Sequence, residues 1–320
     1  MTKQPTDDPP DSQGEADEAS TGDQQSSTKT PMFQAFNAAR YQRQDLIRSI
    51  QKRTGRPLIC YVSGPDAGID RDDTVGFVDL LHNLTRGANL DLLLHTGGGD
   101  IDSAEKLISM VRALVGKAEL RVVVPDWAKS AGTLMALAAD RIVMSDTSEL
   151  GPIDPQITLA DGNGNRIRHS VQSYLDAYNC HSEALKKDPE DAAARVMLNK
   201  LDPATVKLFE SVRKRAQSLA EDHLKQGMFR ETGGNFTQIA SELIDTKRWL
   251  SHGQMIDRQD AEQLGLVVEH LDSKSEEWRD YWRLYCLQRL AATDSQKLFE
   301  SDFASLTMES SYIATEAAAP

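Results

Sequence analysis

The chain has 320 residues, 49 acidic and 36 basic, for a formal net charge of -13. No basic surplus is left to neutralise phosphates, which argues against a general nucleic-acid or anionic-membrane binder. The three cysteines, Cys60, Cys180 and Cys286, are widely spaced without a CxxC pair, which fits free thiols in a reducing cytosol better than a disulfide frame or a zinc site.

Residues 1–30 are rich in Asp, Glu, Gln, Ser, Thr and Pro and too poor in apolar side chains to offset ordering entropy; they are expected to be a disordered acidic tail. Residues 31–54 place Phe33, Phe36, Ala39, Leu46 and Ile50 at helical spacing. This predicts one amphipathic helix packed on its own chain or on a neighbouring subunit. No apolar run reaches spanning length and no signal-peptide pattern is present, so a soluble, intracellular protein without membrane insertion is expected.

From residue 58 strands and helices alternate: LICYVS as the first core strand, a helix over 73–84, a strand over 90–94, a helix over 101–115, a strand over 120–124 and another over 141–145. This order implies an α/β fold with a mainly parallel sheet and right-handed crossovers, in which sites gather at the carboxyl ends of the strands. Two corners lie at that end. At the first, Gly97, Gly98 and Gly99 join strand to helix, where they bring bare N–H groups close to a ligand; a tight turn alone hardly needs three glycines. At the second, Val122, Val123 and Val124 end at Pro125, and Ser130 opens the helical run Ala131, Leu134, Leu137, Ala138. A hydroxyl there is either an N-cap or a group poised beside unpaired amides.

After Pro155 the turn-prone DGNGN, Asp161 to Asn165, predicts a hairpin, and residues 171–226 are helical with breaks near Pro189 and Pro203. A helix restarts at Phe236. A short helix ends at Gly265 before a terminal strand Leu266, Val267, Val268. Residues 275–290, with Trp278, Trp282, Leu284, Tyr285 and Leu287, read as an added packing helix, and the chain then fades into a weakly structured tail. The expected organisation is a core over 55–156 and 236–272, an inserted hairpin and helical region over 157–235, and a helix and tail over 273–320.

The glycine corner, AKSAGTLMALAAD, LGPIDPQ, KRWLSHGQ and AEQLGLV occur in an order that resembles the serine dehydrogenase proteinase family. That family belongs to the peptidase branch of the Clp/crotonase superfamily, with the Clp proteolytic subunit and signal-peptide peptidase A. The resemblance implies a superhelix of ββα units and an acyl-enzyme formed on Ser130. It also implies an oxyanion hole from Gly98, Gly99 and Ala131, peptide or unfolded-protein substrates, and homo-oligomers. Where the Clp subunit places its histidine this chain has Asp154, and where that subunit places its aspartate this chain has His252. The order Ser130, Asp154, His252 fits the serine dehydrogenase proteinases position by position, with His252 as base and Asp154 orienting it.

Three alternatives stand beside this. In a Ser/Lys dyad the base would be Lys186, Lys187, Lys200, Lys207 or Lys214, each in a polar helix that suggests solvation. A catalytically silent binding or assembly module would keep the fold alone. Acyl-CoA chemistry of the crotonase type shares the glycine cradle but does not normally use a serine nucleophile. His82, His95, His169, His181, His223 and His270 read as structural or surface residues, although His95 borders the cradle. Neither HExxH nor GxxxxGK[ST] occurs, so no cofactor or metal is implied.

Overall fold

A computed structural model of the chain describes residues 29–160 and 166–311. Residues 1–28 of the tail expected over 1–30, and the DGNGN turn, therefore lie outside the described residues. The chain divides into two units at Ala38. In the first, α1 (Pro31–Phe36) begins with Pro31 and with Thr30 accepting the Phe33 N–H. Asn37 closes it, its side chain donating to Phe33 O at 2.8 Å. The single helix expected over 31–54 is therefore two, because that bond competes with continuation of the helix. Phe33 and Phe36 are exposed.

The next helix is α2 (Ala38–Thr54), and from Ala39 on the chain forms the second unit. There follow β1 (Leu58–Ser63), α3 (Asp73–Leu81), β2 (Leu90–His95), α4 (Ile101–Val115), β3 (Leu120–Val123), β4 (Trp127–Ala128) and α5 (Ala131–Leu137). Next come β5 (Arg141–Met144), β6 (Glu149–Leu150), β7 (Gln156–Ala160), β8 (Arg166–Ser170), α6 (Val171–Lys187), α7 (Ala192–Leu198) and α8 (Pro203–Gln226). The unit ends with α9 (Phe236–Ile244), α10 (Arg258–Gln263), β9 (Val268–His270), α11 (Glu276–Ala291), β10 (Gln296–Glu300) and β11 (Ser305–Glu309).

The main sheet runs β11-β10-β1-β2-β3-β5-β9. Its last five members are parallel, while β10 pairs antiparallel with β1 and β11 antiparallel with β10. Every residue of β1 and β2 is buried, as expected of strands covered on both faces. One face packs on α3, α4, α5, α8 and α9 through residues such as Phe77, Leu107, Leu134, Ala220 and Leu243. The other packs on Ile47 and Ile50 of α2 and on Trp278, Tyr281 and Leu284 of α11, so the aromatic stripe is packing, as read. The hairpin is present as β7 with β8, and α8 starts at Pro203 behind its cap Asp202.

A second, smaller layer crosses the carboxyl ends of the main strands. Thr96 bridges to Ala128, Ala128 pairs with Leu150, and Leu150 bridges to Ile256. β2, β3 and β5 thus each feed a short crossing segment and then a helix or loop, which is the superhelix of ββα units that the resemblance implies.

Two further expectations differ. The terminal strand starts two residues late, at Val268, because the Leu266 N–H still bonds to Ala261 O of α10 and the Val267 N–H is turned to Met228 Sδ. The C-terminal segment read as a fading tail instead forms β10 and β11 on the sheet edge. QKLFES looks polar, but Lys297 and Glu300 are buried with partners, Glu300 on Arg43 and Lys297 on Asp70. Phe299 lies among Tyr61 and Phe77, 5.1 and 6.1 Å between ring centroids. Phe299→Ala is expected to destabilise the fold by about 3–5 kcal/mol in denaturant unfolding; an unchanged midpoint would mean that the strand is not part of the core.

Candidate active site

The glycine corner is shaped by backbone demands. Gly98 and Gly99 adopt φ of 104° and 148°, a region that side chains rarely enter. Ile69 lies alongside: its N–H donates to Gly98 O at 2.8 Å, and its carbonyl accepts the Asp100 N–H at 2.9 Å. A Cβ on Gly99 would stand 2.4 Å from the Ile69 nitrogen and oxygen, so only glycine fits. The Gly98 N–H donates to Thr96 Oγ1 at 3.2 Å. Of the three amides expected to form the oxyanion hole, this one already has a partner, because the threonine before the glycines turns its hydroxyl back onto them. Those of Gly99 and Ala131 donate to no group among the described residues.

Ser130 is held in a strained backbone, φ 51° and ψ -115°. Such a conformation costs about 1–3 kcal/mol and persists only where its surroundings fix it. Lys129 N–H donates to Thr96 O at 3.0 Å, and Gly132 N–H to Lys129 O at 2.7 Å. Gly132 is required because a Cβ there would lie 2.6 Å from Thr96 Cγ2. The small residues of SAG thus let α5 sit against the glycine strand. Ser130 precedes α5, yet its side chain makes no capping bond, so capping does not explain the hydroxyl. A Cβ on Gly98 would come within 2.9 Å of Ser130 Cβ and 3.3 Å of the Ala131 nitrogen. Glycine corner and serine are therefore in contact. Gly99, Ser130 and Ala131 open on one cleft of 510 Å³, walled by Ile101, Leu134 and Ile153 and by Val212 and Ala216 of α8.

Asp154 and His252 meet because their loops are paired: Leu150 and Ile256 exchange backbone hydrogen bonds of 2.9 and 3.0 Å. Thr133 of α5 joins the Asp154 loop to the serine helix, accepting the Gly151 N–H at 3.0 Å. Asp154 is 3% exposed, and its Oδ1 is 2.7 Å from His252 Nδ1. Its other oxygen accepts from Gln156 Nε2 at 2.7 Å. His252 Nε2 is buried and has no hydrogen-bond partner among the described residues, Ser130 Oγ included. With the carboxylate accepting from Nδ1–H, the lone pair is on Nε2.

Gln156 and Thr96 received no role from the sequence, although each lies in a motif already singled out. Thr96 immediately precedes the glycines, and Gln156 stands two residues beyond Asp154, on the same side of extended chain. Lys186, Lys187, Lys200, Lys207 and Lys214 are all exposed, and none borders the cleft. Lys129 is engaged by Glu149, Leu150 O and Gln254 O. His95 is buried between Trp127 and Tyr285, and burial pushes its pKa down to about 3, leaving a neutral packing residue.

Comparison with known proteins gives three results. Residues 69–273 match the sequence model of a family described as ClpP-like SDH-type serine proteinase. Two proteins of Methanocaldococcus jannaschii, described as uncharacterized proteins MJ0137 and MJ1495, are 32% identical over 180 residues and 29% over 142. These matches cover 56% and 41% of this chain and 53% and 45% of the relatives, so the chain spans about half the length of the curated relatives it matches. Similar solved structures include a mutant of the 1510-N membrane-bound stomatin-specific protease, with 16% identity and TM-score 0.40, covering 67% of this chain and 80% of that one. ClpP1 from Listeria monocytogenes has 13% identity and TM-score 0.37, covering 70% and 95%.

The Asp154 to His252 bond makes a direct prediction. Proton-detected nitrogen spectra of the histidine side chains should show neutral His252 carrying its proton on Nδ1. Asp154→Ala should shift the population toward the Nε2–H form, and no change of tautomer would mean that the carboxylate does not hold the ring.

Proposed function

Because the chain belongs to the ClpP-like SDH-type serine proteinase family, we propose that it is an intracellular serine endopeptidase working through an acyl-enzyme on Ser130, with His252 as general base and Asp154 orienting it. One observation carries the assignment of the base. His252 has its Nδ1 edge tied to a buried carboxylate and its Nε2 edge buried without a partner among the described residues, the state in which an imidazole accepts a hydroxyl proton.

In this mechanism His252 Nε2 takes the proton of Ser130 as Oγ attacks the carbonyl carbon of the scissile bond. Negative charge then develops on the carbonyl oxygen beside the Gly99 and Ala131 N–H groups, whose donors are uncommitted. Gly98 serves the cradle by its bare Cα, which allows the approach of Ser130. Asp154 stabilises the imidazolium. Collapse breaks the C–N bond, and the departing amine takes the proton from His252. A water molecule, deprotonated by the same imidazole, then releases the acyl group. No bond joins Ser130 to His252 in the free chain, and such contacts commonly tighten only when substrate is bound.

The apolar walls of the cleft favour peptide or unfolded-protein segments with an apolar side chain beside the scissile bond. Assembly with further copies of the chain belongs to the same reading; Leu250 and Met255, on either side of His252, expose apolar surface. Three free thiols accord with a reducing compartment, and no helix among the described residues is long and apolar enough to cross a membrane. A lysine dyad is disfavoured because the five candidate lysines are exposed and Lys129 is bound by three oxygens.

A fluorophosphonate probe should label the native chain and not Ser130→Ala. His252→Ala should lower kcat about 10²–10⁴-fold on a fluorescent casein substrate. Native kcat in that variant overturns the choice of base, and a native chain that takes no label favours the silent module.

A further inference from the structure

Beneath the glycine corner lies a buried ion cluster that the proposed chemistry does not use. Lys297, on β10, is wholly buried. Its ammonium is 2.5 Å from Asp73 Oδ1 and 2.7 Å from Asp70 Oδ2, and it donates to Gly68 O at 3.3 Å. Asp73 also accepts from Tyr61 at 2.8 Å and from the Asp70 N–H at 3.1 Å. The Ser311 N–H reaches Asp70 at 2.9 Å, and the Gly68 N–H donates to Ser310 Oγ. The segment from Gly64 to Asp73 is tied at its start as well, Gly64 N–H to Gln296 O at 2.7 Å and Asp66 N–H to Asp294 O at 3.1 Å. One side of this segment is thus fastened to the C-terminal hairpin. The other side is Ile69, whose backbone holds Gly98 and Asp100.

Residues 68, 70 and 73, all bound by Lys297 Nζ, bracket the residue that sets the glycine corner. The match to the peptidase family covers residues 69–273, so the bracketed residue opens the matched stretch and the hairpin that braces it lies outside. We propose that Lys297 is a positioning residue for acyl transfer: through Asp70, Asp73 and Ile69 it fixes the place where the Gly99 amide meets the developing oxyanion. The inference rests on the reading of Ser130 as nucleophile.

The cluster acts on the transition state more than on substrate capture. Apart from the glycine corner itself, the cleft is walled by α4, α5, α8, the Asp154 loop and the β7–β8 hairpin, and the Lys297 ammonium bonds to none of these, whereas a donor displaced by a fraction of an ångström loses the oxyanion. Lys297→Met keeps the length of the side chain and removes its charge. Asp70→Asn keeps the shape of its partner and serves as the second variant where Lys297→Met fails to fold.

Both variants are compared with the native chain on an acetylated fluorogenic peptide with leucine at the cleaved bond, normalised to folded protein. Rates of fluorophosphonate labelling are measured in parallel. Lys297→Met should lose about 10–100-fold in kcat and in labelling rate, with KM within about 3-fold of native. Asp70→Asn should move kcat in the same direction. Faster deuterium uptake across residues 96–100 should accompany the loss. Variants that melt earlier but keep native kcat and labelling rate per folded molecule overturn the proposal and leave the cluster purely structural. A native chain that is not labelled at Ser130 fails the nucleophile reading instead, which separates the two.

Discussion

The site depends on a row of backbone hydrogen bonds. Thr96 to Ala128, Ala128 to Leu150 and Leu150 to Ile256 form a narrow second layer across the ends of the main strands. Each of its residues stands within four positions of a group in the site: Thr96 before the glycines, Ala128 before Ser130, Leu150 before Asp154, Ile256 after His252. Groups more than 150 residues apart are thereby set in register by main-chain atoms. Because side chains alternate at every residue, a slip of one position in any rung would turn the dependent group to the opposite face. The rungs also explain where strain can be stored. Ser130 at positive φ is fixed because Thr96 O holds the preceding residue and Gly132 fits against Thr96.

Charges reinforce the rungs at two places. Lys129 is half-buried; desolvation lowers its pKa against the opposing pull of Glu149. Its ammonium binds Glu149, Leu150 O and Gln254 O, so the residue before the serine fastens the Asp154 and His252 loops to one another. An ammonium with all three hydrogens directed at oxygens is a strut and has no lone pair to offer. On the far side Lys297 has a comparable part between the C-terminal hairpin and the loop before α3. Neither cation lines the cleft.

Much of this was legible in the sequence. Hydrophobic runs bounded by glycine and proline marked the parallel strands, and GGG and SAG marked the two corners, because tight backbone approach leaves a signature in residue size. The pairing of Asp154 with His252 came only from the order of motifs; 98 positions separate them, and no local spacing encodes a contact made by the Leu150 to Ile256 bridge. β10 escaped notice because its buried lysine and glutamate read as surface residues until their partners, Asp70 and Arg43, are seen. Asn37 broke a helix that periodicity alone would have continued. Thr96 and Gln156 were overlooked because their side chains bond to Gly98 and Asp154, contacts that no local spacing announces.

The placement of Asp154 and His252 has a physical reading in the burial of the two side chains. Asp154 lies on the loop joined directly to α5 through Thr133 and is 4% exposed at its side chain; His252, on the outer loop, is 21% exposed. A carboxylate that only orients an imidazole gains from burial among donors, here His252 and Gln156, which accept its charge without competing water. A base that must pass its proton to a leaving amine needs access to the cleft. Under the proposed mechanism, the short side chain is on the inner loop and the longer, aromatic one reaches in from the outer loop. The direction of proton transfer then follows from depth, and the order of the residues along the chain is immaterial.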